Sequence, residues 1–223
     1  MPCTGLMHAL GVLVRSSCID EVYQWMLSEP ATMQEFLEKT TFQVVDSIRT
    51  LHKEDLTYPP VFMTAALEML TPPWFGKEHF LRMVFPYDKR INDAIHAVGG
   101  RHRAHCHGNS GQFLELFADM GIDSVEPLEP APFGDNVLKE AKKKVGRRML
   151  LSGNVVSQIF YTCSRDEVRE MVRRAIDDGA PGGGFTLRMT GGGVGNGKTR
   201  EQAIRSIERA IDYIEAALEF GRK

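Results

Sequence analysis

Two histidines, His105 and His107, stand two residues apart at the end of an apolar run that begins at Arg101. Side chains alternate across a β-strand, so both imidazoles are expected on one face and Cys106, between them, on the other. Two converging imidazoles are a common start for a zinc site. The spacing therefore predicts that His105 and His107 bind one divalent metal, zinc first, and that Cys106 is structural. The alternative is a set of polar residues in a strand-to-helix loop.

A carboxylate is expected beside the histidine pair, because the next apolar run closes on acidic residues. Glu126 and Glu129 follow Ile122 to Val125 and would project at the neighbouring strand end. Two histidines and one carboxylate suit zinc with an open position, or non-haem iron. We predict Glu126 as the third metal ligand or as a general base; the alternative is a solvated loop acid. Asn154, at the predicted end of the following strand, is a second catalytic candidate that would orient substrate, or only a turn residue.

The elements that would position these side chains alternate between short apolar runs and amphipathic helices. Five consecutive β-then-α units imply parallel strands, because each helix must cross over to bring the next strand alongside. We predict an α/β fold, a (β/α)8 barrel-like domain that is incomplete, with five strands, or six if residues 9–14 form one. An open doubly wound sheet is the alternative, but no glycine-rich turn follows the first unit. The predicted strands are Val61 to Leu67, Arg101 to Cys106, Ile122 to Glu126, Arg148 to Ser152 and Gly184 to Met189.

The chain is predicted to form a single domain, with residues 1–58 mainly helical and residues 59–223 carrying the βα units. A helix should begin at Pro30 and continue to Leu51. Later helices should begin at the capping patterns Ser164-x-x-Glu167 and Thr199-x-x-Gln202. The last helix keeps Ile204, Ile207, Ile211, Ile214 and Leu218 on one face. Because so few parallel strands leave edges and apolar surface uncovered, a homo-oligomer, most simply a homodimer, is predicted.

The composition limits the partners. The 223 residues are 43% hydrophobic and 25% charged, with a formal net charge of -2, which gives no electrostatic case for binding nucleic acid or an anionic membrane. No apolar run approaches the roughly 20 residues of a membrane-spanning helix. The apolar N-terminus lacks a preceding basic residue, so no signal peptide is expected. The four cysteines show no disulfide-like spacing, which predicts free thiols and a cytoplasmic location.

A glycine-rich stretch, Gly192 to Thr199, matches the phosphate-binding pattern G-x-x-x-x-G-K-[ST] between a predicted strand and a helix. A P-loop normally begins its sheet and needs a downstream Walker-B acid, whereas only one predicted helix follows Thr199. We therefore expect no nucleotide hydrolysis. An anion held at the helix N-terminus and a glycine loop without a ligand remain open.

Together these segments resemble the uroporphyrinogen decarboxylase superfamily, in particular its methylcobamide:thiol (coenzyme M) methyltransferase branch, without that family's N-terminal part. The resemblance runs from about Glu21 to the C-terminus and implies a (β/α)8 barrel with its site at the C-terminal strand ends. It rests on Ser28-Glu29-Pro30, Phe85-Pro86 before the helix at Ile91, His105-x-His107-Gly108-Asn109, Asp119-Met120-Gly121-Ile122-Asp123, Glu126-Pro127, Gly134-Asp135 and Leu151-Ser152-Gly153-Asn154.

In that branch, a zinc held by a His-x-Cys pair and a late-strand cysteine activates a thiol, which takes a methyl group from a corrinoid protein. The resemblance thus implies a methyltransferase with zinc and a corrinoid carried on a partner protein. His105 matches the histidine, His107 stands at the cysteine position, and Thr190 lies nearest the late cysteine. These departures leave three functions open: metal-dependent methyl transfer to a thiol or other small acceptor, a small-molecule-binding module without catalysis, and a decarboxylase-like lyase. The decarboxylase branch's N-terminal arginine-rich motif has no counterpart here.

Overall fold

The structure is a computed structural model that describes residues 3–51, 59–191, 195 and 197–222. The chain divides into two compact units. The N-terminal unit comprises Met1–Cys106 and Gln112–Ser124, and the C-terminal unit comprises His107–Gly111 and Val125–Lys223. In each unit the described strands follow one another across the sheet in chain order, as consecutive β-then-α units predict. The predicted α/β class is therefore confirmed, with six described strands against the eight of a complete barrel.

The N-terminal unit places three parallel strands against helices. β1 pairs with β2 at Cys3↔Val61, and β2 pairs with β3 at Val61↔Arg101. Its elements are β1 (Cys3–Leu6), α1 (Gly11–Ser16), α2 (Ile19–Ser28), α3 (Pro30–Leu51), β2 (Val61–Thr64), a 3-10 helix (Leu67–Leu70), α4 (Lys77–Met83), α5 (Phe85–Ala97), β3 (Arg101–Cys106) and α6 (Leu114–Met120). The predicted helix from Pro30 to Leu51 is confirmed.

The sixth strand exists, but its predicted position is wrong. It is β1, whereas residues 11–16 form the helix α1. The reason is helical periodicity: Leu10 and Val14 are four residues apart and both are buried on one helical face. The apolar run that suggested a strand is therefore the inward face of a short helix.

A buried histidine fixes β3 within the N-terminal unit. The Asn92 amide donates to the backbone carbonyl of Met120 (2.9 Å), so its Oδ1 accepts from Nδ1 of His102 (2.6 Å). Nε2 of His102 then accepts from the Thr64 hydroxyl (2.8 Å), which joins β3 to β2. Burial, and then the nearby His8 and His96, lower the pKa of His102 to about 3, so its ring is neutral in the fold. This network anchors the strand that ends at His105 and Cys106.

The C-terminal unit holds β4 (Ser124–Pro127, apart from its first residue), α7 (Leu138–Val145), β5 (Leu150–Val156), α8 (Arg165–Gly179), β6 (Phe185–Thr190) and α9 (Arg200–Phe220). Both predicted helix starts are confirmed. The Ser164 hydroxyl accepts from Glu167 N, and the Thr199 hydroxyl accepts from Gln202 N. The predicted strand end at Ser152 is wrong, because β5 continues to Val156 and pairs there with Thr190 of β6.

Half of the predicted phosphate-binding pattern, Gly192 to Val194 and Asn196, lies outside the described residues. At its far end, Lys198 N donates to the Gln202 side chain (2.7 Å), next to the Thr199 cap. None of the helices in the described ranges is long and apolar enough to cross a membrane.

Candidate functional site

A buried carboxylate, Glu129, organises the strand-end loops of the C-terminal unit. The residue is 4% exposed. One carboxylate oxygen lies 3.1 Å from Nδ1 of His107 and accepts from Gly108 N (2.9 Å). The other oxygen accepts from the amide of Gln158 (2.8 Å). Glu129 therefore sets the orientation of the His107 ring.

The backbone around Glu129 is held by the loop that follows β4. The Glu129 carbonyl accepts from the backbone N–H of Asn136 (3.1 Å). The Asn136 amide also donates to the hydroxyl of Ser110 (3.0 Å), in the loop that carries His107. Between the two loops, Gly134 has no space for a side chain, since a Cβ there would lie 2.4 Å from the carbonyl oxygens of both Glu129 and Gly108. The two loops are thus packed backbone against backbone.

The hydrogen-bond chain continues from Glu129 to the end of β6. Gln158 lies in a 3-10 helix, Ser157–Ile159, directly after β5. Its Oε1 accepts from the Thr190 hydroxyl (3.2 Å), and Ser157 Oγ donates to the Thr190 carbonyl (2.7 Å). Thr190, the residue nearest the position of the family's late cysteine, is fully buried in this chain of contacts. Its side chain supports Glu129 through Gln158.

Glu126, the predicted third ligand or general base, lies on β4 and is 2% exposed. Its carboxylate forms an ion pair with the guanidinium of Arg188 on β6. The Arg188 side chain is 43% exposed, so it can also meet a ligand from solution. Guanidinium groups bind carboxylate and phosphate groups in bidentate fashion, which makes this pair a candidate anion contact.

His105, Cys106 and Asn154 occupy other surroundings. On β3, His105 is half-buried and Cys106 fully buried, as the alternation predicts, and Cys106 Sγ lies 3.9 Å from the Thr71 hydroxyl. Asn154 is not at a strand end, so that part of its prediction is wrong. It lies inside β5 and lines a cavity of about 380 Å³ with Asn136 and residues of α8. Its catalytic role stays a prediction.

The donors present fit a histidine ligand better than a thiolate one. A carboxylate on Nδ1 is the usual support of a metal-binding histidine, whose Nε2 takes the metal. The metal-ligand set of the methyltransferase branch, which includes cysteines, does not fit these residues. Cys106 is buried beside Thr71. Thr190, which lies nearest the position of the late-strand cysteine, contacts Gln158. Among the described residues, no three His, Cys, Asp or Glu side chains come close enough together to hold one ion. Metal binding by His105 and His107 stays a prediction, and Glu126 is not close enough to both of them to complete a three-ligand set.

Sequence reasoning missed the roles of Gln158 and Arg188 and left Glu129 as a second choice to Glu126. A signal for Gln158 was present: Val155 and Val156 continue the apolar run, which puts Ser157 and Gln158 at the true strand end. Arg188 carried the weaker signal of a single charge within an otherwise uncharged strand.

Comparison with known proteins agrees with this fold. The family model described as uroporphyrinogen decarboxylase (URO-D) matches residues 4–210. The chain therefore belongs to the uroporphyrinogen decarboxylase family, and the resemblance seen in its motifs is confirmed.

Two similar proteins show how much of a longer protein this chain covers. A uroporphyrinogen decarboxylase of Thioalkalivibrio sulfidiphilus (strain HL-EbGR7) is 29% identical over 98 residues, which are 44% of this chain and 26% of that protein. The solved structure of a methyltransferase from Methanosarcina mazei superposes with a TM-score of 0.71 at 16% identity. That match covers 99% of this chain and 59% of the methyltransferase. The chain thus spans only part of the length of either protein, and it shares its fold with that part of the methyltransferase.

Proposed function

We propose that this chain acts as a methyltransferase-like enzyme, with one divalent metal bound by His105 and His107 and with Glu126 as a general base. The observation that carries the proposal is the buried Glu129 on Nδ1 of His107. The structural likeness to a methyltransferase supports the reaction class. When bound, a zinc ion would polarise a small acceptor and lower the pKa of its thiol or hydroxyl group.

The chain's own residues bind and orient the reactants in this proposal. Glu129 keeps the proton of His107 on Nδ1, which directs Nε2 toward the ligand. The Gly108 N–H and the Gln158 amide hold Glu129 in turn, so the ring does not need to reorganise during the reaction. Arg188 balances the charge of Glu126 and contacts an anionic group of the substrate.

The methyl donor in this proposal is a corrinoid carried on a partner protein, which follows from the resemblance to the methyltransferase branch. The location proposed is the cytoplasm. Cys18, Cys106 and Cys163 are free thiols, in agreement with a reducing compartment.

Zinc content is the direct test. His105→Ala and His107→Ala should each lower the zinc bound after reconstitution at least tenfold, measured by elemental analysis of the dialysed protein. Glu129→Gln should weaken zinc affinity about 10–100-fold, because support residues of metal ligands carry effects of this size.

His96→Ala is the matched control, since His96 is an exposed histidine that contacts Asp123 and belongs to no predicted ligand set. It should keep the zinc stoichiometry of the unchanged protein. Unchanged zinc content in the double variant His105→Ala/His107→Ala would overturn the metal site.

A metal-free binding module is the second candidate, and the Glu126–Arg188 pair favours it, because the arginine can exchange Glu126 for a ligand carboxylate. Titration calorimetry with succinate as the probe should then show opposite effects of two substitutions on the binding affinity. Arg188→Gln should weaken binding at least tenfold, since charge-assisted bonds are lost. Glu126→Gln should strengthen it, because the competing carboxylate is gone.

Arg222→Ala, at an exposed arginine, is the control, because it removes one positive charge as Arg188→Gln does. Equal affinities for the Arg188 and Arg222 variants would exclude this site. Decarboxylation of a bound carboxylic acid, the reaction for which the curated relative is named, would be recognised by release of carbon dioxide.

A further inference from the structure

Helix α9 turns its apolar face away from the rest of its unit. The residues that α9 buries are small or polar: Ser206, Ala210, Asp212 and Ala216. Its large apolar residues are instead about half exposed: Ile204 (47%), Ile207 (49%), Ile211 (53%), Ile214 (55%) and Leu218 (56%). We call these five side chains the α9 stripe. An amphipathic helix normally buries such a face, so the stripe is a surface that a partner can cover.

The spacing of the α9 stripe indicates a helical partner. The intervals along the chain are three, four, three and four residues, the a/d pattern of a heptad repeat. Over these 14 residue steps the stripe is about 21 Å long. Side chains in this pattern fit between those of a second helix with the same pattern, and the stripe itself supplies that pattern.

The charges beside the stripe favour a second copy of α9 over a basic partner. An acidic flank of four glutamates runs along one side of the stripe. Each glutamate already has a cation in its own chain: Glu201 with Arg205 (3.1 Å), Glu208 with Arg209 (3.8 Å), Glu215 with Arg165 (2.7 Å) and Glu219 with Arg169 (2.6 Å). A partner therefore needs no positive charge to meet this flank, and a copy with the same neutralised flank is compatible.

The area is sufficient for a modest dimer. Five side chains of roughly 200 Å² each, about half exposed, offer about 500 Å² per copy and about 1,000 Å² in total, the lower end for a specific interface. A two-fold contact uses the same patch on both copies, so one stripe provides both sides.

We propose that α9 forms a two-fold contact with α9 of a second copy of this chain, with Ile211 at its centre. The contact does not depend on the proposed activity. Its surface lies on α9 of the C-terminal unit and uses none of the residues assigned above to metal or substrate.

The association state tests this contact. The full chain should sediment as a dimer at micromolar concentration. Ile207→Glu/Ile214→Glu should raise the dissociation constant more than tenfold, because two charges per copy would be buried against Ile side chains. Leu27→Glu, at an apolar residue of α2 that is 71% exposed, should leave the dimer intact. All three substituted positions are exposed, and an unchanged circular dichroism spectrum checks that each variant keeps the fold.

A disulfide cross-link between two copies locates the two-fold axis of the proposed contact. With Ile211 at the centre, Ile211→Cys should form an intermolecular disulfide whether the two helices run parallel or antiparallel. Ile204→Cys should do so only in the parallel arrangement. A monomeric unchanged protein, a dimer that survives Ile207→Glu/Ile214→Glu, or no cross-link at Ile211→Cys overturns the proposal; in those cases the stripe has a different partner.

Discussion

Gly134→Ala is expected to lower the free energy of unfolding by about 3 kcal/mol or more, in the upper part of the range for single substitutions. A Cβ at this position would lie 2.4 Å from two backbone carbonyl oxygens, those of Glu129 and Gly108. Neither is the end of a flexible side chain, so one loop must move. Because Glu129 contacts both His107 and Gly108 N, that movement should also disturb the site.

Urea unfolding of the purified variants measures this effect, with the zinc affinity of the same samples as the second readout. Gly5→Ala in β1 is the matched control, since a Cβ there meets nothing within 4 Å. Equal unfolding midpoints for the two variants would mean that the loops at Glu129 and Gly108 separate easily, and that the His107 ring is less firmly held than its contacts indicate.

The loops at Gly134 show how the site obtains its rigidity. Glu129 and His107 both lie in loops, where backbones are usually mobile. Here the Asn136 amide contacts Ser110, and Asp135 accepts from Gly111 N (2.7 Å), so each loop supplies hydrogen-bond partners to the other. A binding site needs its side chains held within a fraction of an ångström, and these contacts provide that support on loops.

Features that depend on neighbouring residues could be predicted from the sequence. The alternation along β3 correctly gives a half-buried His105 beside a buried Cys106. The caps at Ser164 and Thr199 depend on side chains three residues away, and both are present. The alternating order of strands and helices follows from the same local patterns, and this order was enough for the α/β class.

Features that depend on distant residues could not be predicted in this way. β1 has four residues and owes its strand conformation to pairing with β2. Gly153 and Asn154 have turn propensity, which pairing with β6 overrides. The partner of Glu126 is Arg188 on β6, and the partner of Glu129 is Gln158 in the 3-10 helix after β5. Both come from later in the chain and become neighbours only when the sheet forms. No local pattern distinguishes which of the two glutamates contacts the histidine.

Acid should destabilise the N-terminal unit through His102. The pKa of this buried ring is lowered from 6.5 to about 3 by burial first and then by His8 and His96. Below pH 6.5 the unfolded chain binds a proton at His102, whereas the folded chain does not bind it until the pH approaches 3. Since the unfolded state then binds more protons, stability falls as pH falls, by up to about 1.4 kcal/mol per pH unit, across the window from 6.5 toward 3.

His102→Gln should abolish this part of the pH dependence. At pH 7 the variant should be less stable than the unchanged protein, because the contacts to Thr64 and Asn92 are weakened. Toward pH 4 the difference between the two free energies of unfolding should shrink, since only the unchanged protein loses the His102 contribution. Urea unfolding at several pH values measures this, with His79→Gln as the control that keeps the slope. Parallel profiles for the unchanged protein and His102→Gln would show that the folded state accepts the proton, and the neutral Nδ1–H form between Asn92 and Thr64 would then be wrong.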